Sequence, residues 1–530
     1  MTIYYVSSRT GSDANPGTNP NHPFATLAAV NALTLRPGDQ VLLERGSVFQ
    51  GQYLHPTGSG APGQPIVIGA YGPADAPLPS IQADGCGIWH QDYRASIGGS
   101  PHKNKGDVST ALLLRDMAWV EVRDLDITNR RVDDADGLAY NDLAVMDRTG
   151  VAVIAENAGT VQHVVLERLN VHDVDGNVYN KHMANGGIYM MAHFPTNPAV
   201  IESNIARFDD VTVRNCQVRR TSRWGIAVGY TAYLNYIDGG QRDSLGQWTN
   251  KFDYGDGTID DATIAQYGAT NVLIEGNVVE DVGGDAITVM YCDRPIIRHN
   301  ISRRAARQIC SDVYSATDDG RVAAAIWPWR CKNALFEYNQ AYDTLNADRG
   351  NGDGQAWDAD YGDGTVYQHN YSSGNTGGTV MFCNEMAVNS VFRHNVARHD
   401  LMGAIDIPRN PDAHVHDNVF ILDPDCNPLR DQDNRADGVA LIQRNVFIND
   451  VVGADDSDVV PRSDDGKDAT ASGTTAGVPT ATASISTSAD IASTSSAPIA
   501  PRTANWHPIG SHVIWRDNLF IGFADEPEDN

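Results

Sequence analysis

The sequence predicts an all-β solenoid, a column of short strands stacked coil on coil. Three observations carry that prediction: a recurring phrase, an asparagine at a fixed place within it, and strands built mostly from Val and Ile. The phrase reads VEVRDLDI, VVLERLNV, VTVRNCQV, VLIEGNVV, PIIRHNIS, ALFEYNQA, TVYQHNYS, SVFRHNVA, AHVHDNVF, LIQRNVF and HVIWRDNLF. Its fixed place falls on Leu125, Leu169, Cys216, Asn277, Asn300, Asn339, Asn370, Asn395, Asn418, Asn445 and Asn518. Several copies are 23 to 27 residues apart. A short alternating strand at that interval buries its apolar side only by stacking on the next copy.

The asparagine column narrows the kind of solenoid. Asn tolerates the left-handed backbone of a sharp turn. Stacked at one corner, its amides can bond up and down the column, as in amyloid ladders. Leucine-rich repeats also carry such an Asn but need a dense Leu pattern, whereas Val and Ile favour strands. A plain β-sandwich does not repeat one phrase eleven times. From about residue 110 to 525 the chain resembles the right-handed parallel β-helix of pectin-active enzymes and many glycoside hydrolases. The expected fold is that β-helix, with an N-terminal helix cap and long inserted loops.

Taken in order, residues 1–95 form a cap and first coil. A strand opening YYVSSRTG, a Gly/Asn/Pro loop and a short helix from about Phe24 to Leu33 lead into the strand QVLLERG. Such a helix covers the open strand edges and apolar end of the first coil. Residues 96–452 carry the coils. Long insertions at roughly 129–160, 173–185, 230–268 and 303–322 interrupt them, and solenoid insertions gather on one face and build binding sites. Residues 453–503 are rich in Ser, Thr and Ala and lack large apolar side chains, so disorder is expected there. Residues 504–530 return for a final coil.

Composition excludes several partners. A net charge of −28 disfavours nucleic acid, anionic membranes and polyanionic glycans, and leaves neutral sugars open. No apolar run is long enough to cross a bilayer as a helix. The start, MTIYYVSSRTG, has neither a basic nor an apolar leader region, so a cytoplasmic location is expected, or secretion if a leader has been removed. Seven cysteines without a CxxC pair read as reduced thiols rather than a disulfide framework or zinc site.

A second strand recurs in each coil: GIYMM, GIAVG, AITVM, AIWPW, AWDAD, TVMFC and AIDIP. Alternation turns Ile188, Ile226, Ile287, Ile326, Trp357, Val380 and Ile405 inward. It turns Tyr189, Ala227, Thr288, Trp327, Asp358, Met381 and Asp406 outward, followed by Met191, Gly229, Met290, Trp329, Asp360, Cys383 and Pro408. Aromatic plates beside acids suit a sugar cleft, because pyranose rings stack on indoles and carboxylates act on the glycosidic bond.

The acids are densest in NGDGQAWDADYGDG, with Asp353, Asp358, Asp360 and Asp363. Asp358 and Asp360 lie about 7 Å apart on one strand face, and Glu385 follows on the next coil, about 4.8 Å along the stack. Carboxylates this close cannot all ionise freely, and a protonated acid beside a carboxylate is what glycoside hydrolysis needs. The competing reading is a structural Ca²⁺ held by Asp353, Asp358, Asp360 and Asp363, although the EF-hand spacing is absent. No organic cofactor is implied.

This segment resembles the catalytic coils of the lacto-N-biosidases of glycoside hydrolase family 136 and the β-xylosidases of family 120. The first resemblance implies two aspartates seven residues apart, which Asp353 and Asp360 match. The second implies an aspartate and a glutamate on the following coil, which Asp360 and Glu385 match. The expectation is a retaining, exo-acting glycosidase on a neutral oligosaccharide. Asp360 is its nucleophile, Asp353 or Glu385 its acid/base, and Asp358 tunes one of them. Trp327, Trp329, Tyr189, Asp406 and His182 are the expected sugar contacts, with Trp224 a further platform. His369, His394 and His399 read as structural corner residues, and Asp285 as either a turn or a site residue. The alternatives are a β-helix polysaccharide lyase and a non-catalytic carbohydrate-binding β-helix.

Overall fold

The computed structural model describes residues 1–91, 107–131, 146–176, 184–193, 195–200, 203–231, 258–308, 322–345, 353–424, 426–430, 439–450 and 513–523. The expected loop 453–503 and His182 lie outside them. Three long sheets of 15, 13 and 11 strands run through the described residues, and apart from one pair at the edge of the third their strands pair in parallel. This is a right-handed parallel β-helix.

One coil shows how the sequence builds it. Ile296–Arg298 lies in the first sheet, Ile301–Arg303 in the second and Ile326–Trp329 in the third, before Leu335–Glu337 re-enters the first. The repeated phrase is therefore two strands, not one. The bend falls between them on a left-handed residue, His299 at φ 56°. The apolar alternation runs on across the bend because both strands face the same core, which hides the corner from pattern reading. Three of the four predicted insertions leave between the second and third sheets. The first was drawn too long: 129–160 contains the third-sheet strand Asp147–Ala155 and the start of Thr160–Glu167.

The asparagine column is continuous. Each side-chain oxygen from Asn300 to Asn518 accepts the backbone N–H and the amide of the previous coil's Asn. The left-handed positions belong to the residue before each Asn: Gly276, His299, Tyr338, His369, His394, Asp417, Arg444 and Asp517. The Asn side chain is thus selected for its inward amide rather than for backbone tolerance. The rings at those left-handed positions stack outside, His299–Tyr338–His369–His394 at 5.1 to 5.4 Å. Inside the coils a Phe column forms, with Phe420, Phe447 and Phe520 at 5.0 Å steps.

Asn339 shows what one rung holds. Its amide donates to the Ile297 carbonyl at 2.8 Å and to Asn370 at 3.2 Å, and its oxygen accepts from the Asn300 backbone and side chain, each at 3.0 Å. Replacing it by Ala strands these groups in a dry interior. We expect Asn339→Ala to cost roughly 3 kcal/mol, read as a lower denaturation midpoint in urea. An unchanged midpoint would remove the ladder from the account of stability.

The helix near the N-terminus is Leu27–Asn31, shorter than the sequence suggested, and it buries Leu27 and Val30 in the main core. A second helix, Asp261–Tyr267, closes the insertion 230–268 and was not foreseen. Asp260 caps it, accepting from Thr263 N at 2.8 Å, and Gly268 ends it. Its apolar face is only Ile264 and Tyr267, too short a stripe to read as a helix. Both pack in a second apolar cluster outside the solenoid, on the outer face of the third sheet. Among the described residues no helix is long and apolar enough to cross a membrane.

Candidate active site

The third sheet carries the predicted alternation. Ile188, Ile226, Ile287, Ile326, Trp357, Val380 and Ile405 all sit in the main core. The outward column runs in register from Tyr189 to Ala227, Thr288 and Trp327, then Asp358, Met381, Asp406 and Arg430. The neighbouring column brings Met290, Trp329, Asp360 and Cys383 together. One step of that column differs from expectation. A bulge pairs Met191 with Tyr230, so Gly229 drops out of the alignment.

The outer face changes character along its length. Tyr189, Met191, Trp224, Ala227, Met290 and Trp327 are buried in the second apolar cluster under the helix at 261–267 and the segments beside it. Tyr189 is fully buried and lies four register steps from Asp358, about 19 Å along the stack. The structure therefore does not bring Tyr189 to the acids, and Trp224 is likewise packed away. Trp327 is next to Asp358 but only 3% exposed. Trp329 is partly open and stacks on Tyr361 at 5.6 Å and 13°.

Beyond Trp327 the face becomes acidic. Asp358 and Asp360 point outward yet are 2% and 6% exposed, so both carboxylates are covered. Asp353, partly exposed, lies just before the start of the same strand, and its charge reaches the thiol of Cys383. Burial, then the charges of Asp360, Asp358 and Asp353, push that thiol well above its usual range. Burial and the Asp360 charge likewise raise the phenol of Tyr361. Asp406 stands two coils on from Asp358, about 10 Å away, and pairs with Arg430 at 3.7 Å. Glu385 follows the end of its strand, is half exposed and is ion-paired with Arg409 at 3.4 Å.

Asp363, the fourth acid of the segment, has a different task. It accepts from Ile259 N at 3.0 Å and Asn389 at 2.8 Å and lies 3.4 Å from Lys332. Lys332 also pairs with Asp261 at 2.9 Å and contacts the Ile259 carbonyl. Asp363 thus pins the insertion's end to the coil. Among the described residues no group of three or more His, Cys, Asp or Glu is arranged to hold a metal.

Sequence reasoning missed Tyr361 and Arg330. Both occupy a left-handed corner just after the third-sheet strand, shared with Tyr291, Asn384 and Arg409. The Arg330 guanidinium lies 5.2 Å from the Tyr361 ring, and its backbone N–H donates to Asp360 O at 3.2 Å. Aligning one residue beyond the strands would have exposed this column. Also missed was Arg223, which meets Asp285 at 3.2 Å with both side chains fully buried. Asp285 accepts the Trp327 indole N–H at 3.0 Å and Ala324 N at 3.2 Å. A buried ion pair is costly unless its geometry is well satisfied, and this one fixes the indole beside Asp358.

No family model matches the chain. It is 50% identical over 477 residues to a lacto-N-biosidase of Bifidobacterium longum subsp. longum, an alignment covering 84% of this chain. The chain spans only 29% of that relative's length. Two crystal structures of the family 136 lacto-N-biosidase from Eubacterium ramulus, native and selenomethionine forms, are 43% identical with a TM-score of 0.75. They cover 84% of this chain, which spans 67% and 68% of theirs. On that identity and coverage, the chain belongs to glycoside hydrolase family 136.

Proposed function

We propose that this chain is a lacto-N-biosidase, a retaining glycoside hydrolase that acts from the end of an oligosaccharide. The observation that carries the reading is the pair of outward carboxylates Asp358 and Asp360 on one strand, where the outer face leaves the apolar cluster and meets the Trp329–Tyr361 stack. The names of the relatives supply the substrate class.

Asp360 attacks the anomeric carbon and forms a covalent glycosyl-enzyme. Asp353 protonates the leaving oxygen and then activates the water that releases the sugar. Asp358, on the same strand as Asp360, raises the cost of ionising the group beside it. The Trp329–Tyr361 pair offers apolar ring surface at the edge of the acids, suited to a sugar face.

The test is incubation of the whole chain with a chromogenic aryl lacto-N-bioside and with an oligosaccharide ending in lacto-N-biose. Release of the disaccharide with its anomeric configuration kept, followed by proton NMR, is expected. Absence of release from both substrates by a folded preparation would sink the proposal. Release with inversion would sink the retaining mechanism and with it the nucleophile assignment, and leave the substrate class standing.

A further inference from the structure

We propose that Cys383 is a positioning residue for Asp360, its thiol donating a hydrogen bond to that carboxylate. This rests on the reading of Asp360 as nucleophile. Cys383 is the register partner of Asp360 on the following coil, so the two side chains project side by side from the same sheet face. Register partners on neighbouring parallel strands lie about 4.8 Å apart, which puts the thiol within reach of the Asp360 carboxyl.

The sulfur is oriented from its other side. The Asn384 amide donates to Cys383 Sγ at 3.1 Å. Asn384 is itself held in the left-handed region, φ 64°, where Arg409 donates to its side-chain oxygen at 3.2 Å and Asn410 to its carbonyl at 3.0 Å. A sulfur that accepts from Asn384 turns its single proton away from that amide and toward the carboxylates. The thiol keeps that proton because burial and three neighbouring carboxylates oppose a thiolate. Cys383 is thus a fixed donor rather than a reactive nucleophile.

Among the described residues the other charged or titratable groups near Asp360 are Asp353, Asp358, Tyr361 next in the chain, Tyr367 in the core, Arg330 on the preceding coil and Glu385 on the next. A donor to a carboxylate favours its anion. The acid limb of the kcat/KM profile, which reports ionisation in the free enzyme, is therefore sensitive to the strength of that donor.

The experiment compares wild type, Cys383→Ser and Cys383→Ala. The hydroxyl is the stronger donor and the methyl is none. The acid limb is expected at lowest pH for Ser, intermediate for Cys and highest for Ala, the extremes separated by roughly half a pH unit or more. A filler role for Cys383 would change stability and turnover without ordering the limbs. Coincident limbs, or Ser and Ala displaced the same way, would overturn the proposal. A second measurement needs no substrate. The Cys383 S–H stretching band, identified by its loss in Cys383→Ala, should rise in frequency in Asp360→Asn as the acceptor weakens. An unmoved band would overturn the contact. A shifted band together with undiminished turnover by Asp360→Asn would support the contact and defeat the nucleophile reading.

Discussion

Asp360→Asn is expected to lower kcat by about 10³-fold or more with folding intact. Asp360 sits on the outer face of the third sheet, so its carboxylate contributes nothing to the main core. The inward neighbours Trp357 and Ala359 do that work. The amide matches the carboxylate in size, which leaves the packing against Trp329, Cys383 and the Arg330 corner in place. What disappears is the anion proposed to attack the anomeric carbon. Burial sharpens the effect, because a side chain 6% exposed has little bulk water to substitute for the lost charge. Equal thermal unfolding of the two proteins would establish that the loss is chemical. Near wild-type turnover on a confirmed substrate would move the nucleophile to another carboxylate, with Asp358 and Asp406 next in line.

The fold was readable in the sequence because a solenoid writes one physical requirement many times. Asn300 or Asn339 alone says little, whereas seven amides from Asn300 to Asn518, each satisfying the coil before it, repeat one requirement down a whole column. The inward face was readable for the same reason, from Ile188 to Ile405. The corners were not. A residue such as His299 or Tyr361 is selected for a left-handed backbone, and that selection leaves no apolar period to detect. The site was partly legible. Asp358 and Asp360 fell on the outward face by alternation, but exposure could not be read from alternation. Tyr189 and Trp327 look like open platforms in the strand pattern and are closed by a cluster assembled from distant segments, including Ile264 and Tyr267. Arg223 and Asp285 are 62 residues apart in sequence (223 to 285), and no local signal links them.

The same outward geometry separates the two candidates for the acid/base. Glu385 lies past the end of its strand, half exposed, and is engaged by Arg409 at 3.4 Å. Proton transfer to a leaving oxygen needs a group within hydrogen-bond reach of it, beside the nucleophile. Asp353 is the better placed, since it shares the surroundings of Cys383 with Asp358 and Asp360. Three carboxylates around one thiol cannot all ionise without cost, and the proton retained among them is the one a general acid can give. Asp353→Asn should therefore lower kcat/KM on an oligosaccharide by about 10²- to 10³-fold. The loss should be much smaller on an aryl glycoside whose leaving group departs without help. Added azide should restore turnover and yield a glycosyl azide of unchanged anomeric configuration, because it replaces the water that Asp353 would activate. Glu385→Gln should stay within a few-fold of wild type on both substrates. The reverse pattern, with leaving-group dependence and azide rescue in Glu385→Gln alone, would transfer the acid/base role to the following coil. It would also make the Arg409 ion pair a contact that must open before catalysis.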